Sequence, residues 1–453
     1  KFFVNLPFRL SRLSLFSFLN SHVSYLCRLF PSPPLIMSRL PIRSVSSNQA
    51  RQQRRSGYSN SCRMADWSEL HWDLLSLILD RLTLLDFIHF GAVCTSWRAL
   101  SKGRGYPGSV PWLLVLGDDE ERKTPVFYSI SEQMTHRLMI PELYGRRCWG
   151  CSNGWVVTQD INLEMHLVQP FSGIRMQIPS PPPFIEDNDD GCFSPEELLH
   201  LNILRVSLSS DPVSCPEDCL IMAVHGARGK LTLLRLRDEK WTVIKDEFGW
   251  YWDVLYFRGQ FLGATSLQHI VACELGPDPR TQIFAPRVWR DECDRRYLVE
   301  SEGDLLYIIR HFSVCPTPEF ERVLSDSEIY SDDSDVERVS YHEAVITTRF
   351  EVLKLDTDTR EWVEVTSLGD RALFVGQGMS MSLSARDLPG CKENSIYFTD
   401  SEPKYDHHGY YDLGVYNLGD GTVEHFYPTN VIHPLLSPPS WFYPSHFYKR
   451  EPM

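Results

Sequence analysis

The chain has 453 residues, 43% hydrophobic and 23% charged, with a formal net charge of −14, a size that suits two or three domains of an ordinary globular protein. An acidic chain argues against nucleic-acid binding as its main business, because a phosphate backbone demands a basic surface. Twelve irregularly spaced cysteines argue against a disulfide scaffold and fit reduced thiols, and no apolar run reaches the ~18 residues that a membrane span needs.

Residues 1–63 hold ten Lys or Arg and no Asp or Glu, so the rest of the chain carries −24. Two readings of this stretch stand. An Arg- and Ser-rich, acid-poor segment has the composition of an organellar transit peptide. Alternatively, translation starts at Met64, in MADWSEL, and the stretch is upstream sequence read through; the abrupt change of charge at Asp66 favours this. Either way residues 1–63 are expected to be disordered.

Trp67 to Leu100 is the one strongly helical stretch. Leu70, Leu74, Leu75, Ile78, Leu79 and Leu82 fall at helical spacing. Thr83 interrupts the pattern and Asp86 is placed to cap a second helix, with Phe87, Ile88, Phe90 and Val93 on its apolar stripe. Thr95 or Ser96 opens a third helix carrying Trp97 and Leu100. Three short helices in about 34 residues cannot bury all these apolar groups alone, so the segment is expected to keep a face for a partner. The Leu, the Asp-Leu-Leu step (Asp73, Leu74, Leu75), the Ile-Leu pair, Leu82 and the run VCTSWRAL, with Val93, Cys94 and Trp97, resemble the F-box. One departure is His71, where most F-boxes have a proline that fixes entry to the first helix. The resemblance implies docking on a Skp-type adaptor through Leu70, Leu74, Leu75, Ile78, Leu79, Leu82, Phe87, Val93, Cys94, Trp97 and Leu100, with a cullin bound through that adaptor.

After KGRGYPGS (102–109), which reads as a hinge, the chain turns to short β-type runs. The helical exception is Pro195 to Asn202, with Ser194 as its cap. A strand–polar turn–strand unit recurs at 124–141, 164–179, 230–246, 349–365 and 411–428, with Trp241 and Trp362 in matching places. Further strands lie between these hairpins. The hairpins begin roughly 40 to 65 residues apart except for one larger gap, which spans an acidic insertion, and recurrent units of about four strands point to a β-propeller of five to six blades. A β-sandwich of this size would be unusual.

The C-terminal half is similar to plant F-box proteins with a KIB-type propeller. Leu368, Gly369, Asp370, Phe374 and Gly376 carry this resemblance, as do Pro389 and Gly390, the run Ile396 to Asp400, and Gly414 to Leu418. SNGW (152–155) fits as well. The expected architecture is therefore mainly β: an F-box at 64–104 and a propeller over 105–445. Residues 446–453 form a tail.

Two stretches read as insertions: 180–191, proline followed by acid, and the acidic Ser-rich run 325–337 within an insertion near 318–343. In the latter Ser325 and Ser334 each precede a Glu by three residues, the pattern of an acid-directed kinase site. A solvated loop is the plainer reading. Cys148 and Cys151 with Cys215 and Cys219 have zinc-like spacing, but small buried thiols are the common case. His407 and His408 sit in a polar loop, and His225 has no recognisable nucleophile. No catalytic set, cofactor or metal site is expected. Trp250, Tyr251 and Trp252 are weak candidates for target binding: Trp250 and Trp252 would share one face of a strand with Tyr251 opposite, either as packing or as an exposed anchor.

The resemblance implies a non-catalytic substrate receptor of a Skp–cullin–F-box ubiquitin ligase, in the cytoplasm or nucleus, with a target that the sequence does not name. A non-degradative binding scaffold is the alternative, as is an organelle-targeted propeller if residues 1–63 are a genuine transit peptide.

Overall fold

In the computed structural model, residues 70–104, 110–117, 125–151, 154–181, 194–226, 228–289, 294–316, 343–386, 388–399, 412–425 and 435–443 are described. Three short helices come first: α1 (Trp72–Leu79), α2 (Leu84–Val93) and α3 (Thr95–Arg104). Residues 102–104, read from the sequence as the start of a hinge, are the last turn of α3.

Six sheets follow, one per blade. Blade 1 holds β1 (Trp112–Gly117), β2 (Val126–Ser129) and β3 (Met134–Arg137). Blade 2 holds β4 (Arg147–Gly150), β5 (Val156–Gln159), β6 (Met165–Gln169) and β7 (Ile174–Ile178). Helix α4 (Pro195–Asn202), where the sequence places it, leads into blade 3: β8 (Ile203–Leu208), β9 (Leu220–His225), β10 (Lys230–Arg235) and β11 (Thr242–Val243). Blade 4 is β12 (Tyr251–Phe257), β13 (Gln260–Thr265), β14 (Ile270–Glu274) and β15 (Arg280–Ala285). Blade 5 is β16 (Asp294–Ser301), β17 (Asp304–Pro316), β18 (Glu343–Leu355) and β19 (Trp362–Glu364). Blade 6 is β20 (Arg371–Val375), β21 (Met381–Ser384), β22 (Ser395–Phe398), β23 (Gly414–Asn417) and β24 (Val423–Glu424). The remaining strand, β25 (Leu435–Phe442), returns to blade 1 and pairs antiparallel with β1, Leu113 opposite Trp441, which closes the ring.

The strand sequences follow from this architecture. A sheet packed on both faces takes continuous apolar runs, as in WLLVLG of β1 and MHLVQ of β6, whereas outer strands such as β7 are mostly exposed. Six apolar cores result, one between each pair of successive blades. The five hairpins legible in the sequence are the outer two strands of blades 1, 2, 3, 5 and 6. The wide gap between two of them holds blade 4 as well as the acidic insertion. Its outer hairpin, IVACELGPDPRTQIFA, lacks the tryptophan that marks blades 3 and 5. That tryptophan ties each blade to the one before: the indole Nε1 of Trp241 donates to the Pro179 carbonyl at 2.6 Å, and that of Trp362 to the Pro286 carbonyl at 2.8 Å.

Blade 6 departs from the simple meander. Its order is β21-β20-β22-β23-β24, with β20 and β22 parallel. The chain leaves β20, crosses the propeller axis through Gly376–Ser380, and returns as β21. On the way the Met379 amide donates to the Gly150 carbonyl of blade 2 at 2.9 Å, and Gln377 bridges Ser440 of blade 1. A Cβ on Gly378 (φ +98°) would sit 2.8 Å from that same carbonyl oxygen, so this crossing admits only glycine. Of the residues that carry the resemblance, Gly154 and Trp155 are structural: Trp155 is fully buried behind Gly154 (φ +71°), its carbonyl accepting from the Cys151 amide at 2.8 Å.

Candidate functional site

The helical segment sorts the eleven residues expected to meet the adaptor into three groups, buried, half-buried and exposed. Leu75, Leu79, Phe87 and Trp97 are buried, together with Phe90, inside the three-helix segment. The Phe90 and Trp97 rings stack at 4.3 Å. Leu74, by contrast, is 50% exposed, and Leu77, one turn on, is 53% exposed. With half-buried Ile78 they form an i, i+3, i+4 stripe on the outside of α1. Leu70, Leu82, Val93, Cys94 and Leu100 are half-buried. Leu77 was not among the expected residues; its exposure comes from the way α1 is turned by the burial of Leu75 and Leu79. Trp72, at the first position of α1, is 63% exposed.

The helix ends are capped by side chains. His71 is the N-cap of α1, its Nδ1 accepting from the Asp73 amide at 3.4 Å, so the residue that replaces proline supplies an acceptor instead. The second helix starts three residues earlier than the sequence suggests. Thr83 is the cap, its Oγ1 accepting from the Asp86 amide at 3.3 Å and donating to the Asp86 carboxylate at 3.0 Å. On its other side α2 meets the propeller. Leu84 is buried in the core between blades 1 and 2 with Trp112, Leu114 and Phe442, and Leu85 and Ile88 pack against the same core.

The interior of the propeller holds two buried ion pairs. Asp253 on β12 faces Arg205 on β8 at 3.9 Å, and its carboxylate accepts from the amides of Leu298 (2.8 Å) and Val254 (2.9 Å). Burial outweighs these partners and pushes the carboxyl up to about 6. Arg310 on β17 donates to Asp412 at 2.8 Å and to Thr347 at 2.7 Å, joining blades 5 and 6. An axial cavity of about 500 Å³ lies by the finishing ends of β8, β12 and β16, where Ser207, Ser380, Ser382, Glu300 and Arg258 are its polar lining. Its lining residues include no histidine and no cysteine.

The thiols considered for zinc are dispersed. Cys148 belongs to the core between blades 1 and 2, whereas Cys151 and Cys219 face the core between blades 2 and 3, and Cys215 is exposed. Burial pushes the Cys151 thiol up to about 12 and raises those of Cys148 and Cys219, so all three hold their protons. His225 is buried on β9. His407, His408, Ser325, Ser334 and most of both insertions lie outside the described residues. Among the described residues no helix is long and apolar enough to cross a membrane.

The two readings of Trp250 to Trp252 divide by residue. Tyr251 is packing: it is buried, and its hydroxyl donates to Asp246 at 3.0 Å. Trp250 is 44% exposed, and its ring lies 4.4 Å from that of half-buried Trp252 on the other face.

Comparison with known proteins agrees with this architecture. The KIB1-4 β-propeller family matches residues 127–417 and the F-box domain residues 67–106. The chain is 27% identical to F-box protein SKIP23 of Arabidopsis thaliana over 84% of this chain and 97% of that protein. It is 25% identical to F-box protein At2g17036 of the same plant, over 84% of this chain and 96% of that protein.

Proposed function

The chain belongs to the KIB1-4 β-propeller family and carries an F-box domain ahead of the propeller, and on that premise we propose that it is the substrate-receptor subunit of a Skp–cullin–F-box ubiquitin ligase. F-box domains generally bind Skp1-type adaptors, and the observation that carries the reading here is the exposed Leu74–Leu77 stripe of α1 beside a buried three-helix core. A stripe of that kind suits helix-in-groove docking, where burial of leucines supplies the affinity. The propeller presents a target protein, and the cullin reached through the adaptor brings the ubiquitin-charged enzyme. Catalysis by such a subunit is proximity: the receptor raises the effective concentration of target lysines, and no group of its own touches the bond being made. The shared core of α2 with blades 1 and 2 supports this role, since a receptor must hold its target at a fixed distance from the adaptor. The working compartments of such a complex are the cytosol and nucleus.

The test is co-purification of the full chain with a Skp-type adaptor and a cullin. Stable capture of both, lost when 67–104 is deleted, is the expected result. Failure of the intact chain to retain the adaptor, where a known F-box protein retains it, refutes the ligase role and leaves a binding scaffold.

A further inference from the structure

One end of blade 4 concentrates the residue types that dominate protein-binding hot spots. It is the end where β12 begins, opposite the axial cavity by its finishing half. Trp250 (44% exposed), Leu267 (45%) and Trp289 (69%) lie in the open there. Backbone bonds bring their segments together: the Ser266 amide donates to the Trp250 carbonyl at 2.8 Å, and the Val288 amide to the Gln268 carbonyl at 3.3 Å. Cations overlie the indoles. The Arg287 guanidinium is 3.5 Å from the ring centroid of Trp289, and that of Arg295 is 5.4 Å from Trp252. Phe248 meets His269 edge-on at 5.6 Å.

Three polar atoms here lack a hydrogen-bond partner among the described residues: Arg287 Nε, His269 Nδ1 and Trp252 Nε1. Burial and the charge of Arg287 both lower the pKa of His269, so its ring is neutral at neutral pH. Guanidiniums and indole N–H groups donate only, so the complementary group is an acceptor with negative charge. In a chain of net charge −14, two guanidiniums laid over indoles give this surface a positive element of its own.

We propose that this end of blade 4, built from Trp250, Trp252, Leu267, His269, Arg287 and Trp289, is the surface that takes the target protein, and that it recognises an acidic segment carrying an apolar side chain between carboxylates. The apolar side chain lies on the exposed indoles, and the carboxylates accept from the guanidinium N–H groups of the arginines. The inference rests on the receptor role proposed above, but the surface can be tested without the adaptor.

The probe is an array of short synthetic peptides on a Ser/Gly background, graded in Asp and Glu content and in Leu and Phe content, with matched peptides carrying Lys in place of the acids. The full chain should retain the acidic peptides that contain Leu or Phe, less so in raised salt, and should pass over the Lys set. Arg287→Gln and Trp289→Ala should each cut retention about tenfold, with the unfolding midpoint and adaptor capture unchanged. If Trp289→Ala fails to fold, Arg287→Gln decides. No retention, equal retention of the Lys peptides, or unchanged binding by the folded variants overturns the proposal. Retention of acidic peptides by a chain that does not capture the adaptor leaves the surface standing and removes the ligase role instead.

Discussion

Leu74 and Leu75 are neighbours in sequence, and truncating each should produce a different failure. Leu75 is 4% exposed, inside the three-helix core. Removing its side chain deletes buried methyls and leaves a cavity, at a cost of about 2 to 5 kcal/mol in folding stability. The helices are short, so Leu75→Ala should unfold the module and with it adaptor capture. Leu74 and Leu77 are about half exposed, 50% and 53%. Fully burying a leucine is worth roughly 1.5 to 3 kcal/mol, so burying the exposed half of each against an adaptor contributes about 1 kcal/mol. The double variant Leu74→Ala/Leu77→Ala should therefore bind the adaptor about thirtyfold more weakly, at ~2 kcal/mol, while its unfolding midpoint stays near that of the wild type. Titration calorimetry with the purified adaptor and urea unfolding followed by tryptophan fluorescence read the two effects separately. The assignment of the binding face is wrong if the double variant binds with wild-type affinity, or if its loss of binding comes with an equal loss of stability.

Two further outcomes follow from the propeller. In Gly378→Ala a Cβ would meet the Gly150 carbonyl at 2.8 Å at a positive φ, whereas in Gly173→Ala it would meet nothing within 4 Å. The second substitution should cost about 1 kcal/mol, the strain of a positive φ alone, and the first clearly more in urea unfolding; equal losses would remove the crowded axial crossing. Asp253 holds its proton up to about pH 6 in the folded state, against roughly 3.9 when unfolded. The folded state therefore binds the extra proton between those values, and stability falls as pH rises through them. Stability of the wild type minus that of Asp253→Asn should drop by about 2 kcal/mol from roughly pH 4 to pH 7; a flat or rising difference contradicts the burial of that carboxyl.

Much of this was legible from local pattern. The F-box helices announce themselves through apolar spacing and VCTSWRAL, and five hairpins through two β-rich arms around a polar turn. What was not legible depends on packing between distant segments. Blade 4 hid because its outer hairpin turns through Gly276-Pro277-Asp278-Pro279 and lacks the indole latch. Blade 6 hid its crossover because a parallel pairing, Ala372 to Ser395 onward, leaves no mark on either strand. Leu77 was missed because apolar spacing alone does not say which side of α1 faces the core. The Trp289 and Arg287 half of the aromatic patch lies nearly forty residues from Trp250, brought beside it only by the sheet.

The closing strand has a consequence for how the protein is made. Residues 435–443 supply the strand of blade 1 beside β1, and Phe442 also completes the core on which α2 rests. A nascent chain on the ribosome can assemble blades 2 to 6 in turn as they emerge, but blade 1 and the seat of the F-box stay unfinished until residues 435–443 have emerged. A truncated product would thus carry the helices without their support. In the receptor role proposed above, an adaptor that prefers the seated helices would pass over chains that lack the closing strand.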